Sequence, residues 1–289
     1  MKTSNPFFSV VITTIGKRPI QKTIDSVLNS SYTNFELIVV NDGGKINLTE
    51  KGFRLINQKH KGLAAARNTG IKNSKGEIIA FIDDDAIAEK DWLKKIVSSF
   101  SCPEIGGVSG KTIEYFKNKT SENFLWTCNN YGLIKVNPKK IEKNDFIVVH
   151  GCNMAFSRKA LEKVNFLDEN FTFYFDEIDL SARLYKAGFK IAVNPEAIVH
   201  HYIKSNLRFG NLFEFGKFKY YFALKNFNSF FFFPLLLLND FPLMLNDVKN
   251  FFLKFLKKDI SFKAFLHESF LVFLGRISGT RKAFIELRK

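Results

Sequence analysis

The residues best suited to chemistry stand in one short run, Ala80-Phe-Ile-Asp-Asp-Asp-Ala86, where three carboxylates follow an apolar stretch. Like charges this close repel, so Asp83, Asp84 and Asp85 need solvent or a counter-cation. A solvated turn would use the same residue type, since Asp is common in turns. A hard divalent cation, Mg2+ or Mn2+, held by one or two carboxylates and completed by substrate phosphates, explains the cluster more fully. Asp83 and Asp85, two apart, then form an Asp-x-Asp pair. Asp42, in Val-Val-Asn-Asp-Gly-Gly, ends another apolar run. A carboxylate there can accept hydrogen bonds from a nucleobase or ribose, or can open an Asp-Gly turn. Arg67 and Asn68 lie in a segment that begins near Gly62, so Lys61 and the first amides of a helix could meet a phosphate. An Arg in that position also serves as a plain solvated helix face.

The elements that must position these groups are legible as pattern. Phe8 to Thr13 is a short β-branched run and reads as a buried strand. Ile20, Ile24, Val27 and Leu28 then recur at a helical period. Phe-Glu-Leu-Ile-Val-Val forms a second strand before the Asn-Asp-Gly-Gly turn. A short helix between Gly62 and Gly76, a third strand over Glu-Ile-Ile-Ala-Phe-Ile and an amphipathic helix from Asp91 follow. Strands alternating with helices predict an α/β protein with a mostly parallel, Rossmann-like sheet flanked by helices. In such sheets ligands bind beyond the carboxyl ends of strands, where both acidic turns fall.

Composition changes in the last third. The chain of 289 residues has a net charge of +15. Residues 201–289 carry 15 Lys and Arg against 6 Asp and Glu, together with 19 of the 34 phenylalanines. Basic and Phe-rich together point to an anionic membrane surface. We place a boundary near residue 205, with domains over 1–205 and 206–289, the second a helical, Phe-rich basic region. The apolar run Phe230 to Leu238 is interrupted by Pro234, far short of the roughly 20 residues a spanning helix needs. Val248, Phe251, Phe252, Phe255 and Leu256 share one helical face, with Lys249, Lys254, Lys257 and Lys258 off it or at its edges. Cys102, Cys128 and Cys152 are too irregularly spaced for a disulfide framework or zinc site and read as reduced thiols of a cytosolic protein. The single Lys before the first apolar run, with no small-residue cleavage site after it, argues against a signal peptide.

The order of segments, from SVVITT through VLNSSYTNFELIVVNDGG, GLAAARNTGI, GEIIAFIDDDA, HGCNMAFSRKAL and FYFDEIDLSARLYKAGFKI to PEAIVHH, resembles glycosyltransferase family 2, of the GT-A fold. The resemblance covers about Ser9 to His201. It implies a nucleotide-diphospho-sugar donor and transfer with inversion at the anomeric carbon. It places Thr14, Asp42, Arg67, Asp83 and Asp84 with the nucleotide, and Asp83 and Asp85 with the metal. Gly151, Cys152 and Asn153 resemble the loop lining the donor-sugar pocket, although a tight turn before a helix capped by Ser157 would look the same. Asp176, Glu177 and Asp179 resemble the family's Glu-Asp-x-Asp segment with the acids exchanged. The family's base falls on Glu177, with Asp176 as the alternative and Asp179 beside the sugar or acceptor. A helix starting here would put Asp176 and Asp179 on one face and Glu177 about 100° away, leaving one acid free to cap the helix. A His near here completes the metal shell in several family members; of His200 and His201, His200 is favoured. Where the family commonly has Pro-Thr-Tyr-Asn, this chain has Thr13-Thr14-Ile15-Gly16. No aromatic stands there to stack on a base.

The resulting expectation is an inverting, Mn2+- or Mg2+-dependent glycosyltransferase, peripheral at the cytoplasmic membrane face, acting on a lipid-linked or cell-surface glycan and not on nucleic acid. Two rivals share part of the pattern. A sugar-phosphate nucleotidyltransferase would need a Gly- and Lys/Arg-rich triphosphate loop after the first strand, of which Thr-Thr-Ile-Gly-Lys-Arg-Pro is a poor version. A non-catalytic basic protein coating membrane or nucleic acid explains the charge but not the clustered carboxylates.

Overall fold

A computed structural model describes residues 5–49, 51–203, 212–227, 233–257 and 261–287. The chain divides into two compact units, Met1–Thr127 with Ile134–Lys204, and Cys128–Leu133 with Ser205–Lys289. The boundary expected near residue 205 lies at residues 204–211, outside the described residues.

The first unit is a three-layer α/β structure. Its sheet runs in the order β3 (Arg54–Gln58), β2 (Phe35–Asp42), β1 (Phe8–Thr14), β4 (Ile78–Asp83), β11 (Asn153–Ser157), β6 (Ile105–Phe116), β12 (Lys190–Ile203), β5 (Ala86–Ala88), with β7 (Lys119–Asn123) beside β6. Strands β1 to β4 are parallel, β11 is antiparallel to both its neighbours, and β12 runs parallel to β6. Parallel strands are covered on both faces, which is why they read as unbroken apolar runs. Val10, Ile12, Leu37, Val39, Ala80 and Ile82 face one layer, with helices α1 (Gln21–Leu28) and α3 (Trp92–Ser99). Val11, Ile38, Val40, Ile79 and Phe81 face the other, with α2 (Leu63–Lys72), α4 (Arg158–Lys163) and α5 (Asp176–Lys186). Strand β3 escaped the sequence pattern because Arg-Leu-Ile-Asn-Gln is an edge strand with only two apolar residues. The short strands β8 (Trp126–Asn129), β9 (Ile134–Val136) and β10 (Asp145–Val148) form a separate small sheet.

The chain leaves β1 for β2 on one side and returns to β4 on the other, so a crevice opens at the carboxyl ends of β1 and β4. Thr14 and Asp83 stand there. After Asp83 the chain turns through Asp84 and Asp85 into β5, which pairs back on β12 with His201 opposite Ala86. This reversal brings the end of β12 to the acidic turn.

The described part of the second unit contains α6 (Leu212–Phe227), α7 (Phe233–Leu256) and α8 (Phe262–Leu287). Gly275 and Gly279, one turn apart on α8, meet the backbone of α6, where a Cβ on either would collide with the Phe213 or Lys217 carbonyl. Asp240 of α7 accepts hydrogen bonds from Lys219 of α6 and Arg276 of α8, all buried. Replacing Gly279 by Val should force α6 and α8 apart at a cost of about 1–3 kcal/mol, read as a lower urea midpoint for the helical unit; an unchanged midpoint would contradict this packing. The outer faces stay apolar. Phe241, Leu245, Phe252 and Leu256 are exposed on α7, and Leu266, Phe270, Phe273 and Ile277 on α8. On the face read from sequence, Val248 and Phe255 are half-buried and Lys249, Lys254 and Lys257 exposed, whereas residues 230–232 and Lys258, and the side chains of residues 233–238 and of Phe251, lie outside the described residues. No helix among the described residues is long and apolar enough to cross a membrane.

Candidate active site

The crevice gathers three groups of side chains. The first is a ligand cluster formed by Asp83, Asp85 and His201, whose donor atoms all lie within 4.8 Å of one another. His201 Nε2 is 3.0 Å from Asp85 Oδ1 and 3.9 Å from Asp83 Oδ2. The side chains of His201 and Asp85 are buried, while that of Asp83 is 26% exposed and opens toward the crevice. Two carboxylates and one imidazole form a donor set that could hold a divalent cation. Burial opposes a charge on His201, but the neighbouring Cys152 thiol and the Asp85 and Glu114 carboxylates outweigh it and hold its imidazolium well above the ordinary range. Burial would likewise push the Cys152 thiol up, yet His150 and His201 pull it down.

His200, favoured from sequence, is not part of this cluster. Adjacent strand residues point to opposite faces, and His200 instead contacts the Tyr115 hydroxyl at 3.0 Å and Glu89 at 3.3 Å. Replacing His201 by Ala should therefore remove Mn2+ binding, whereas His200→Ala should change it less than about threefold, as read by Mn2+ titration. Equal effects would contradict the assignment.

The second group is built around Arg67. Ala64, Ala65 and Ala66 let α2 sit close against the sheet, which buries Arg67 with only 3% exposure. Its guanidinium donates to Asp176 Oδ2 at 2.6 Å, to the Gly151 carbonyl at 2.9 Å and to Asp83 Oδ1 at 3.5 Å. One side chain thus ties the ligand cluster to the start of α5. Arg67, expected at the nucleotide, instead directs Nη1 and Nη2 at these protein oxygens. Phe175, a bulky residue in the left-handed region with φ 68°, immediately precedes the acids. Such a conformation costs roughly 1–2 kcal/mol outside glycine and sets the direction in which Asp176 and Glu177 leave the turn. Asp176 does not cap the helix; it is fully buried against Arg67. Glu177 is half-buried beside Gly151, where a methyl group would lie 3.4 Å from Glu177 Oε1. Burial first, and then the adjacent Asp176 charge, push the Glu177 carboxyl well above the usual range.

The third group surrounds Asp42. Its Oδ1 accepts from Gln58 and the Lys61 amide, both at 2.8 Å, and its Oδ2 from the Gly62 amide at 2.9 Å. His60 Nδ1 lies 2.8 Å from Oδ2. The amides expected to meet a phosphate at the start of α2 are thus turned to Asp42, and the Leu63 amide to the Thr172 carbonyl.

Several expected contacts turn out to be internal ties. Asp84 accepts from Thr14 Oγ1 at 2.6 Å and Arg18 at 3.2 Å, so Thr14 and Asp84 brace β1 against the acidic turn. The Asn153 side chain, fully buried, accepts from Trp92 and donates to the Lys111 and Ala197 carbonyls, each at 2.8 Å. Its polar atoms are consumed by the sheet and not by a sugar. Asp179 shares the buried face with Asp176 as the helical spacing requires, but pairs with Arg183 at 2.8 Å. Gly151 and Cys152 form the turn before β11, and Ser157 caps α4 by accepting from the Ala160 amide. Arg18, in the Thr-Thr-Ile-Gly-Lys-Arg-Pro loop, is not among the expected site residues, although a basic residue just past the carboxyl end of a central strand is a signal. Its Nη1 lies 2.7 Å from Asp85 Oδ2.

This chain matches a known family. The model of glycosyl transferase family 2 matches residues 9–164, more than half of the chain. The chain belongs to glycosyl transferase family 2, and its sheet is that of the GT-A glycosyltransferases. Among curated relatives, a glucosyl-dolichyl phosphate glucuronosyltransferase of Haloferax volcanii is 26% identical over 203 residues, 62% of this chain and 63% of that protein. The glycosyltransferase GlyA of Streptococcus pneumoniae is 40% identical over 91 residues, 27% of this chain and 13% of its own length. The chain therefore spans less than two thirds of these relatives. Among solved structures, a mannosyltransferase of Pyrobaculum calidifontis in complex with GDP-Man and Mn2+ superposes with a TM-score of 0.60, covering 98% of this chain and 88% of that one at 15% identity. At that identity the likeness shows the fold alone.

Proposed function

We propose that this protein is an inverting, divalent-metal-dependent glycosyltransferase that moves a sugar from a nucleotide-diphosphate-sugar donor to a hydroxyl of a lipid-linked or cell-surface glycan. The observation that carries the reading is the convergence, through Arg67, of a hard-cation ligand cluster and a carboxyl with a raised pKa. Asp83, Asp85 and His201 would hold Mn2+ or Mg2+, which when bound compensates charge on the departing diphosphate. Glu177 serves as base, taking the acceptor hydroxyl's proton as the acceptor oxygen bonds to the anomeric carbon. The bond from that carbon to the diphosphate breaks on the opposite face, giving inversion. Asp176 and Arg67 position Glu177, and Asp42 fixes the wall against which a base would lie. The solved relative named above was captured with GDP-Man and Mn2+, which supports a donor and metal of these classes.

The acceptor reading rests on the helical unit, whose exposed Phe and Leu faces with basic edges fit a peripheral helix pair on an anionic, cytoplasmic membrane face. The dolichyl phosphate in the name of one relative fits the same reading. The test is turnover of radiolabelled nucleotide-sugars with membrane lipid extract as acceptor. Label should enter an organic-soluble product whose glycosidic bond has the opposite anomeric configuration to the donor. Transfer with retention, or nucleotide exchange without sugar transfer, would reject the reading.

A further inference from the structure

We propose that Arg18 makes cation binding at this site conditional on the nucleotide diphosphate, an inference that rests on the cation reading of the Asp83–Asp85–His201 cluster. Arg18 stands in the loop between β1 and α1 with its side chain 39% exposed. Its Nη1 is 2.7 Å from Asp85 Oδ2 and 3.2 Å from Asp84 Oδ1. Asp85 Oδ2 makes no hydrogen bond, so the contact with Arg18 is one of charge and not of directed bonding. The other oxygen of the same carboxylate faces His201 at 3.0 Å. Asp85 is therefore shared between the ligand cluster and a fixed positive group on its far side.

A divalent ion entering the nucleotide-free protein must share Asp85 with that guanidinium, and like charges at such spacing in a partly buried site weaken binding on the order of tenfold. A diphosphate changes the balance. The guanidinium fork matches phosphate oxygens, and a side chain this exposed is free to turn from Asp85 to the arriving anion. Releasing Asp85 then strengthens the cation site. Linkage requires the converse, that the cation strengthens diphosphate binding by the same factor. A purely structural Arg18, bracing the acidic turn, would alter stability and leave this coupling untouched.

The test is Mn2+ titration of the full chain followed by electron paramagnetic resonance, alone and with saturating UDP or GDP, for wild type, Arg18→Ala and Arg18→Lys. Without nucleotide, Arg18→Ala should bind Mn2+ on the order of tenfold tighter than wild type. The gain in Mn2+ affinity on adding the nucleotide should shrink by a similar factor, and Arg18→Lys should recover part of it. Asp85→Ala, losing Mn2+ in both states, assigns the signal to this cluster. Equal Mn2+ affinities of wild type and Arg18→Ala, or an undiminished gain with nucleotide, would overturn the proposal. If Mn2+ binds neither protein with or without nucleotide, the cation reading itself fails and takes the proposal with it.

Discussion

Replacing Glu177 by Gln should abolish sugar transfer while making the protein more stable at neutral pH. The two effects have one cause. Burial and the adjacent Asp176 charge push the Glu177 carboxyl well above the usual range, so its ionised form is strained in the folded state. In the unfolded chain the same carboxyl titrates near its ordinary value of about 4.3. Between that value and the raised one, the folded protein binds the proton that the unfolded chain has lost. Native stability therefore falls as pH rises through this window. Gln carries no charge and escapes that loss, so the gain in melting temperature should be clear at pH 8 and should vanish near pH 4. Catalysis runs the other way, because the base must be ionised. Wild-type kcat/KM should rise with pH through the raised pKa, and the Gln variant should lose roughly 10²- to 10⁴-fold while still binding nucleotide. A variant retaining a third of the activity, or one less stable than wild type at pH 8, would remove Glu177 from the role of base.

Arg67→Met should be the most destabilising single change in the first unit, by about 3–5 kcal/mol. Met matches the length of the Arg stem but leaves Asp176 fully buried without the guanidinium that donates at 2.6 Å. It also removes the donor to the Gly151 carbonyl at 2.9 Å. Removing one member of a buried pair costs more than the pair contributes, because the remaining charge stays in a medium that cannot solvate it. The combined variant Arg67→Met with Asp176→Asn should therefore recover part of the loss, and urea midpoints of the four proteins give the coupling directly. If the two changes simply add, Arg67 and Asp176 do not form the unit described.

Much of this architecture was legible because parallel strands are covered on both faces. β1, β2 and β4 appear as apolar runs, and the turns at the ends of β2 and β4 carry the acids. What pattern alone could not supply was parity and partnership. His200 and His201 differ by one residue, so choosing between them requires counting alternation along β12. That count is broken by irregularities between Lys190 and Ile191 and between Asn194 and Ile198, and each extra residue flips every later side chain. Asp179 and Asp176 share a face, as their spacing dictates, but only the tertiary structure assigns Arg183 to one and Arg67 to the other. Asn153 was placed at the donor-sugar pocket by resemblance alone; its amide in fact joins three strands and α3. Strand β3 was invisible because an edge strand needs apolar residues on fewer sides.

The central claim is that Asp83, Asp85 and His201 hold a divalent cation for a nucleotide diphosphate. Calorimetric titration with UDP, GDP, dTDP and CMP, each with Mn2+, Mg2+ or EDTA, on wild type and Asp85→Ala tests it most directly. The account predicts that one diphosphate binds wild type only when the cation is present, and that folded Asp85→Ala loses this binding. Nucleotide binding that persists in EDTA, or metal-dependent binding that survives in Asp85→Ala, would contradict it.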